Sequence, residues 1–167
     1  MAYETIRVDQ RDGRVTLTLD RPEKLNALNG DTFVELTAAM ETAAADDDAS
    51  VVVLRGGGGN FSTGVDMAPV PEWTELDPLE IREKYETIHG TIEAIETLDL
   101  PVVAALEGYA LGGALEVAVA CDVRVATADA ELGLPEARMG FAMDMGGPQK
   151  LPGIVGEGMT KYLVMTG

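Results

Sequence analysis

The sequence predicts an α/β fold, because short runs of strand character alternate with longer runs of helix character along the chain. Residues 51–54 and 102–106 are continuous apolar runs, as in strands that are buried within a sheet. Residues 31–45 and 77–95 instead repeat apolar side chains at helical spacing. Apolar residues make up 46% of the 167 residues, which is enough for one domain with a core, and residues 1–167 are taken as that domain.

The N-terminal segment is predicted to form a β-hairpin. Residues 5–9 and 15–19 alternate apolar and polar side chains, and the Asp12-Gly13 pair between them is typical of a tight turn. A polar loop around Pro22 follows, which we expect to connect the hairpin to the first helix.

Two helices are predicted from capping residues and apolar spacing. Asp31 is a candidate cap for a helix that runs to about residue 45. Asp77 and Glu80 have the spacing of a capping box, so a second, longer helix begins there and is expected to end at Pro101. The apolar face of that helix contains Ile81, Tyr85, Ile88, Ile92 and Ile95.

Residues 107–122, EGYALGGALEVAVACD, are predicted to turn from a strand sharply into a buried helix. Three glycines supply the turn, since glycine tolerates positive φ and close backbone approach: Gly108, Gly112 and Gly113. Residues 114–120 are apolar except for Glu116. The N–H of Gly113 lacks an intrahelical partner and points along the helix dipole, and Glu116 lies one turn later on the same face.

Glu116 admits two interpretations from this stretch alone. A buried carboxylate is costly unless it is used or satisfied. It could therefore take part in chemistry beside the free N–H, or it could be a structural group paired with an arginine such as Arg124.

The C-terminal third is predicted to contain a strand, a loop and a helix. Residues 123–126 read as a short strand, and a loop broken by glycines then contains Glu136 and Asp144. Residues 156–166 are predicted to form the last helix.

Several classes of site have little support in this chain. The run GGGGNFSTGVDM lacks the Gly-Lys-Ser or Gly-Lys-Thr of a phosphate loop and the spacing of a dinucleotide fingerprint. His89 is the only histidine, so no metal site and no serine–histidine triad is expected, and we do not expect His89 to act directly in chemistry.

The net charge and the cysteine content limit which partners and which cellular compartment are expected. A formal net charge of −17, from 29 acidic and 12 basic residues, disfavours nucleic acid and anionic membranes as partners. Only four lysines are present, which suits a cytoplasm of very high salt. Cys121 is the single cysteine, and no signal pattern or membrane span is recognised, so we expect a cytoplasmic protein.

Four separated segments together resemble the enoyl-CoA hydratase/isomerase family, also known as the crotonase superfamily. They are residues 19–28 (LDRPEKLNAL), 60–67 (NFSTGVDM), 107–122 and 133–140 (GLPEARMG), in the order and spacing of that family. The resemblance implies a spiral of ββα units, assembly into trimers or pairs of trimers, and an acyl-CoA thioester as the substrate. It implies no separate cofactor, because coenzyme A is part of that substrate.

The resemblance also assigns roles to individual residues. Val65 and Gly113 would supply the two backbone N–H groups of an oxyanion hole, and Glu116 and Glu136 match the two glutamates of the family's hydratases. In a hydratase, one glutamate takes a proton from water and the other, favoured to be Glu136, delivers a proton to C2. The residues expected to line the CoA and acyl site are Lys24, Leu25, Ala27, Thr63, Gly64, Val65, Asp66, Met67, Ala68, Gly112 and Gly113.

Departures from the family pattern leave alternatives open. Met143-Asp144 stands where hydratases usually have Pro-Gly, and a carboxylate eight residues after Glu136 resembles the dienoyl-CoA isomerases, in which Glu136 and Asp144 would shuttle a proton. The helical C-terminal region of the family, which covers the acyl pocket and builds the trimer, is not recognised. The chain could therefore also be a non-catalytic CoA-thioester binder or an assembly subunit.

Stability is predicted to increase with salt, because a charge of −17 on a small domain repels itself. The screening length falls from about 10 Å at 0.1 M to about 3 Å at 1 M salt. Thermal midpoints measured in potassium chloride should therefore rise between these concentrations. An unchanged midpoint would contradict adaptation to high salt.

Overall fold

The computed structural model describes residues 3–167, which form an α/β fold as the sequence predicts. The strands are β1 (Ile6–Arg11), β2 (Arg14–Leu19), β3 (Val51–Gly56), β4 (Val102–Leu106), β5 (Tyr109–Leu111), β6 (Val123–Ala126) and β7 (Glu131–Gly133). The α-helices are α1 (Gly30–Ala44), α2 (Pro78–Glu96), α3 (Gly113–Ala120), α4 (Glu136–Met139) and α5 (Gly147–Thr166). Two 3-10 helices, Pro22–Lys24 and Val70–Glu75, complete the elements of the described chain.

The main sheet has the order β1-β2-β3-β4-β6 within residues 3–167. The β1–β2 pair is antiparallel, which confirms the predicted hairpin, and the other pairs are parallel. Val52 and Leu54 of β3 and Ala104 of β4 are fully buried, because helices α1 to α3 contribute to the core that these central strands enter.

A second, two-stranded parallel sheet pairs β5 with β7, and the sequence patterns did not predict it. Each strand has only three residues, too few to show periodicity. The chain therefore does not turn directly from β4 into α3. Gly108 and Gly112 both have a φ of 54°, so two of the three predicted turn glycines adopt a left-handed backbone, on either side of β5.

Helices α1 and α2 pack against each other, and part of the predicted apolar face of α2 is buried between α2 and the core. Ile88, Ile92 and Ile95 are buried, and the buried hydroxyl of Thr91 donates to the carbonyl of Phe33 at 2.9 Å. The capping box of α2 is confirmed.

Two predicted boundaries of these helices were wrong. Asn29, not Asp31, caps α1, because its side chain accepts from the N–H of Thr32. Helix α2 ends at Glu96, before Pro101 can clash with it. The predicted last helix, residues 156–166, is confirmed as the second part of α5, which begins at Gly147 and is interrupted by a non-helical backbone at Gly156 with a φ of 77°.

None of the helices in residues 3–167 combines the length and the apolar character that crossing a bilayer requires.

Asn26 joins the loop after β2 to the glycine-rich loop after β3. Its side chain is 1% exposed and its φ is 56°, in the left-handed region. The amide donates to the carbonyls of Gly57 and Asn60 at 2.8 Å each, and its oxygen accepts from the N–H of Arg21 at 3.0 Å. These bonds fix residues 57–60, which lead directly into the segment around Gly64.

Replacing Asn26 by alanine should lower the free energy of unfolding by about 3 kcal/mol, because one buried and two part-buried backbone groups lose their partner. The left-handed backbone adds about 1 kcal/mol for alanine. Asn26→Gly is the matched control, since it loses the same bonds but tolerates the backbone, and it should be about 1 kcal/mol less destabilised. Urea denaturation of both variants measures the difference, and equal losses would exclude backbone strain at this position.

Candidate active site

Glu116 is a carboxylate buried within the apolar helix α3, with 2% of its surface exposed. Its Oε2 accepts from the backbone N–H of Gly147 at 2.7 Å and of Met145 at 3.1 Å. Glycine at position 147 permits this approach, because a Cβ there would lie 2.7 Å from that oxygen. Oε1 of Glu116 has no hydrogen-bond partner within residues 3–167, so one oxygen is fixed and the other is available.

Arg124 does not pair with Glu116, so the arginine-paired interpretation was wrong. Its guanidinium donates to carbonyls at the C-terminal end of α3, including Ala118 at 3.2 Å and Cys121 at 2.5 Å. Arginine at this position satisfies orphan carbonyls and the negative end of the helix dipole. Burial raises the pKa of the Cys121 thiol to about 12, which keeps it protonated beside these groups.

Glu136 is the first residue of α4 rather than part of a loop, and it is 9% exposed. Its Oε2 is buried and has no hydrogen-bond partner within residues 3–167. A Cβ at Gly112 would lie 2.9 Å from Oε1 of Glu136, so this glycine allows the carboxyl group to approach the start of α3. An unpartnered buried carboxylate oxygen is rare in folded proteins and favours a functional role.

Burial raises the pKa of both glutamates above the usual range of the side chain. In Glu116 the two backbone N–H donors oppose that effect, whereas the charges of Glu136 and Asp144 add to it. In Glu136 a bond from its own backbone N–H opposes burial, and the charge of Asp144 again adds to it. The two carboxyl groups therefore differ in environment, with more donors holding the ionised form of Glu116.

Two backbone N–H groups face the same space without partners in residues 3–167. Gly113 is the first residue of α3, so its N–H has no intrahelical acceptor. The N–H of Val65 also remains free. Its parallel β-bridge to Leu28 is made by the residues on either side of it, since the N–H of Leu28 donates to the carbonyl of Gly64 and the N–H of Asp66 donates to the carbonyl of Leu28. Gly64 has a φ of 100°, and a Cβ there would lie 2.8 Å from the carbonyl of Leu111, so glycine permits this close approach.

A cavity of about 200 Å³ brings these groups together. Its polar wall contains Gly113, Val65, Glu116, Glu136 and Asp144. The remainder of the wall is largely apolar and includes Met67, Val70, Trp73, Pro135, Met139, Phe141, Ala142 and Met145.

Asp144 lies at this cavity as an exposed residue. Its backbone carbonyl is 2.8 Å from Nε2 of His89 on α2. Its negative charge raises the pKa of Glu116 and Glu136, as a secondary cause after burial. The side chain is therefore close enough to act on both glutamates electrostatically.

The predicted substrate-binding residues divide between the cavity wall and a neighbouring loop. Thr63, Gly64, Val65, Met67, Gly112 and Gly113 line the cavity. Lys24, Leu25, Ala27, Asp66 and Ala68 are not part of its wall.

The neighbouring loop is connected to the wall through backbone and ionic contacts. The N–H of Thr63 donates to the carbonyl of Leu25 at 3.2 Å. Asp66 pairs with Arg21 at 3.1 Å and accepts from the N–H of Ala68 at 3.1 Å. The bond from the N–H of Ala68 is the main cause that lowers the pKa of Asp66. Burial opposes this effect, and Arg21 adds to it.

Sequence reasoning missed Met145, Gly147, Trp73 and Phe141 as site residues. The Gly146-Gly147 pair was a usable signal, since adjacent glycines often mark a close backbone approach. Within residues 3–167, no cluster of three histidine, cysteine or acidic side chains has an arrangement that could hold a metal ion.

The sequence model of the enoyl-CoA hydratase/isomerase family matches residues 9–167. The chain is 39% identical over 167 residues to a crotonyl-CoA hydratase of Syntrophomonas wolfei, covering 99% of this chain and 63% of that protein. It is 36% identical to a short-chain-enoyl-CoA hydratase of Clostridium acetobutylicum, covering 94% of this chain and 60% of the relative. The chain thus spans less than two thirds of the length of these relatives.

Solved structures agree with the sequence comparisons. The crystal structure of an enoyl-CoA hydratase from Thermoplasma volcanium superposes with a TM-score of 0.87 at 35% identity, covering 98% of this chain and 64% of that chain. The sequence match over residues 9–167 and the common fold lead to one conclusion: this chain belongs to the enoyl-CoA hydratase/isomerase family, the crotonase superfamily.

Proposed function

We propose that the protein hydrates the 2,3 double bond of an enoyl-CoA thioester. The observation that carries this proposal is the convergence of two free backbone N–H groups, on Val65 and Gly113, with two buried glutamates at one cavity. The names of the relatives from Syntrophomonas wolfei and Clostridium acetobutylicum support the same chemistry.

The two N–H groups are suited to stabilise the thioester oxygen as it gains negative charge. Water attacks C3 of a conjugated thioester only if the carbonyl oxygen accepts that charge. A single oxyanion-hole donor contributes about 3–4 kcal/mol to such a transition state. Gly113 also stands at the N-terminus of α3, where the helix dipole favours a negative charge.

The environments of the glutamates suggest a division of the proton work. Glu116 accepts two backbone N–H bonds, which favour its carboxylate form, so it is the better base for the attacking water. Glu136 has a buried oxygen without a partner in residues 3–167, which favours the protonated form and delivery of a proton to C2. The apolar wall around Val70, Trp73 and Phe141 suits the acyl chain.

A second candidate is double-bond isomerisation of a dienoyl-CoA by Glu136 and Asp144. The observation that favours it is the position of Asp144 at the same cavity as Glu136, with its charge acting on that carboxyl group. Hydration remains the first proposal, because both hydratase glutamates are present and lie at the cavity.

Glu116→Gln and Glu136→Gln should each lower kcat by about 10²–10⁴-fold, because each removes a proton carrier and keeps the shape of the side chain. Binding of a saturated acyl-CoA, measured by calorimetry, should change little. Loss of crotonyl-CoA absorbance in high salt measures the rate. Glu107→Gln is the matched control, since Glu107 is an exposed carboxylate on the preceding segment, and near wild-type turnover of either test variant would refute its assignment.

Asp144→Gly distinguishes the two reactions. In a hydratase the variant should keep or increase hydration, and the acid limb of its pH profile should move to lower pH. The reason is that the charge of Asp144 raises the pKa of both glutamates, so its removal lowers them. Asp144→Asn is the control, because it removes the charge but keeps the size of the side chain and so separates the two effects.

In an isomerase the same variant should suppress conversion of a 3,5-dienoyl-CoA while ester binding persists. The hydratase proposal would be overturned if Asp144→Gly lost isomerisation and the wild-type protein did not hydrate crotonyl-CoA.

A further inference from the structure

One peptide unit connects His89 of α2 to Glu116 of α3. The carbonyl of Asp144 lies 2.8 Å from Nε2 of His89. The N–H of Met145 belongs to the same planar peptide and donates to Oε2 of Glu116 at 3.1 Å. The two hydrogen bonds therefore lie on opposite sides of a single rigid group.

The chemistry of the carbonyl fixes the direction of this chain of bonds. A carbonyl oxygen only accepts, so Nε2 of His89 must carry the proton. The donors then run in one direction, from the imidazole through the peptide to the carboxylate of Glu116. Successive hydrogen bonds of this kind polarise one another, which strengthens the final donor.

The orientation of this peptide is not set by regular secondary structure. Residues 140–146 lie between α4 and α5 and belong to neither helix. The side chain of Met145 is buried and anchors the segment, but a rotation of the preceding peptide would turn its N–H away from Glu116. The bond from His89 opposes that rotation, because it holds the carbonyl on the opposite side.

A second side chain of α2, Tyr85, lies within the electrostatic reach of Asp144. Burial raises the pKa of the Tyr85 phenol, and the Asp144 carboxylate raises it further. The rings of Tyr85 and His89 are 5.9 Å apart, and Trp73 meets Tyr85 edge-on at 6.5 Å. His89 itself is exposed, whereas the packing of α2 relies on its buried isoleucines.

We propose that His89 is a positioning residue for Glu116, acting through the Asp144–Met145 peptide. This role rests on the proposed hydration, because Glu116 is the base in that reaction and the peptide holds Glu116 in place. His89 does not touch the substrate in this scheme. It maintains the donor that orients Glu116 and favours its ionised form.

The tautomer of His89 tests the contact without any measurement of activity. His89 is the only histidine, so ¹⁵N-labelled histidine gives a single unambiguous set of signals. At an alkaline pH where imidazoles are neutral, long-range proton–nitrogen spectra should show the proton on Nε2. A proton on Nδ1 would overturn the proposal, because Nε2 could not then donate to the carbonyl.

A double-mutant cycle tests the action on Glu116. His89→Ala should lower kcat for crotonyl-CoA by about 3- to 10-fold, the effect of one hydrogen bond, with KM nearly unchanged. His89→Gln should recover most of this loss, since its amide can donate to the same carbonyl. In a Glu116→Gln background, His89→Ala should have little further effect.

Glu93→Ala, an exposed change one turn further along α2, is the matched control and should leave kcat and the thermal midpoint unchanged. Equal losses from His89→Ala in both backgrounds, or no recovery with glutamine, would overturn the proposal. A wild-type protein that hydrates no enoyl-CoA would instead refute the proposed function, and a proton on Nδ1 would independently exclude the contact of His89 with the carbonyl.

Discussion

The burial of one carboxylate in an apolar helix constrains the whole C-terminal half of the fold. Helix α3 is buried on nearly all sides, and Glu116 within it is 2% exposed. Such a group is tolerated only where donors compensate for its lost hydration. The N–H groups of Met145 and Gly147 supply them, so the start of α5 must lie against α3. The lack of a Cβ at position 147 makes that distance possible.

Backbone rather than side chains supplies the donors around this site, which explains the distribution of glycines. Gly64 and Gly112 both have positive φ, and each comes close to a group that a Cβ would meet. Gly113 is different: its backbone is ordinary, but a Cβ would lie 2.8 Å from Sδ of Met145 and 3.0 Å from Cγ2 of Val65. These positions let two N–H groups remain free at the cavity while the surrounding chain stays close-packed.

Electrostatics at the cavity sets two chemically similar side chains apart. Both glutamates are buried beside the exposed Asp144, and both have a raised pKa. The donors that favour the ionised form of Glu116 come from a neighbouring segment, whereas Glu136 has an oxygen without any such donor in residues 3–167. A pair of titratable groups in unequal environments is the arrangement that acid–base catalysis requires.

Local patterns in the sequence were sufficient to predict the α/β class, the hairpin, the capping box at Asp77 and the burial of Glu116, because each depends on neighbouring residues. They misplaced the cap of α1 and missed β5 and β7, since a side-chain bond and three-residue strands leave little periodic signal. Only the tertiary structure decided what Glu116 contacts. Its partners at Met145 and Gly147 are 29 and 31 residues away along the chain, and backbone N–H groups have no residue-specific signature.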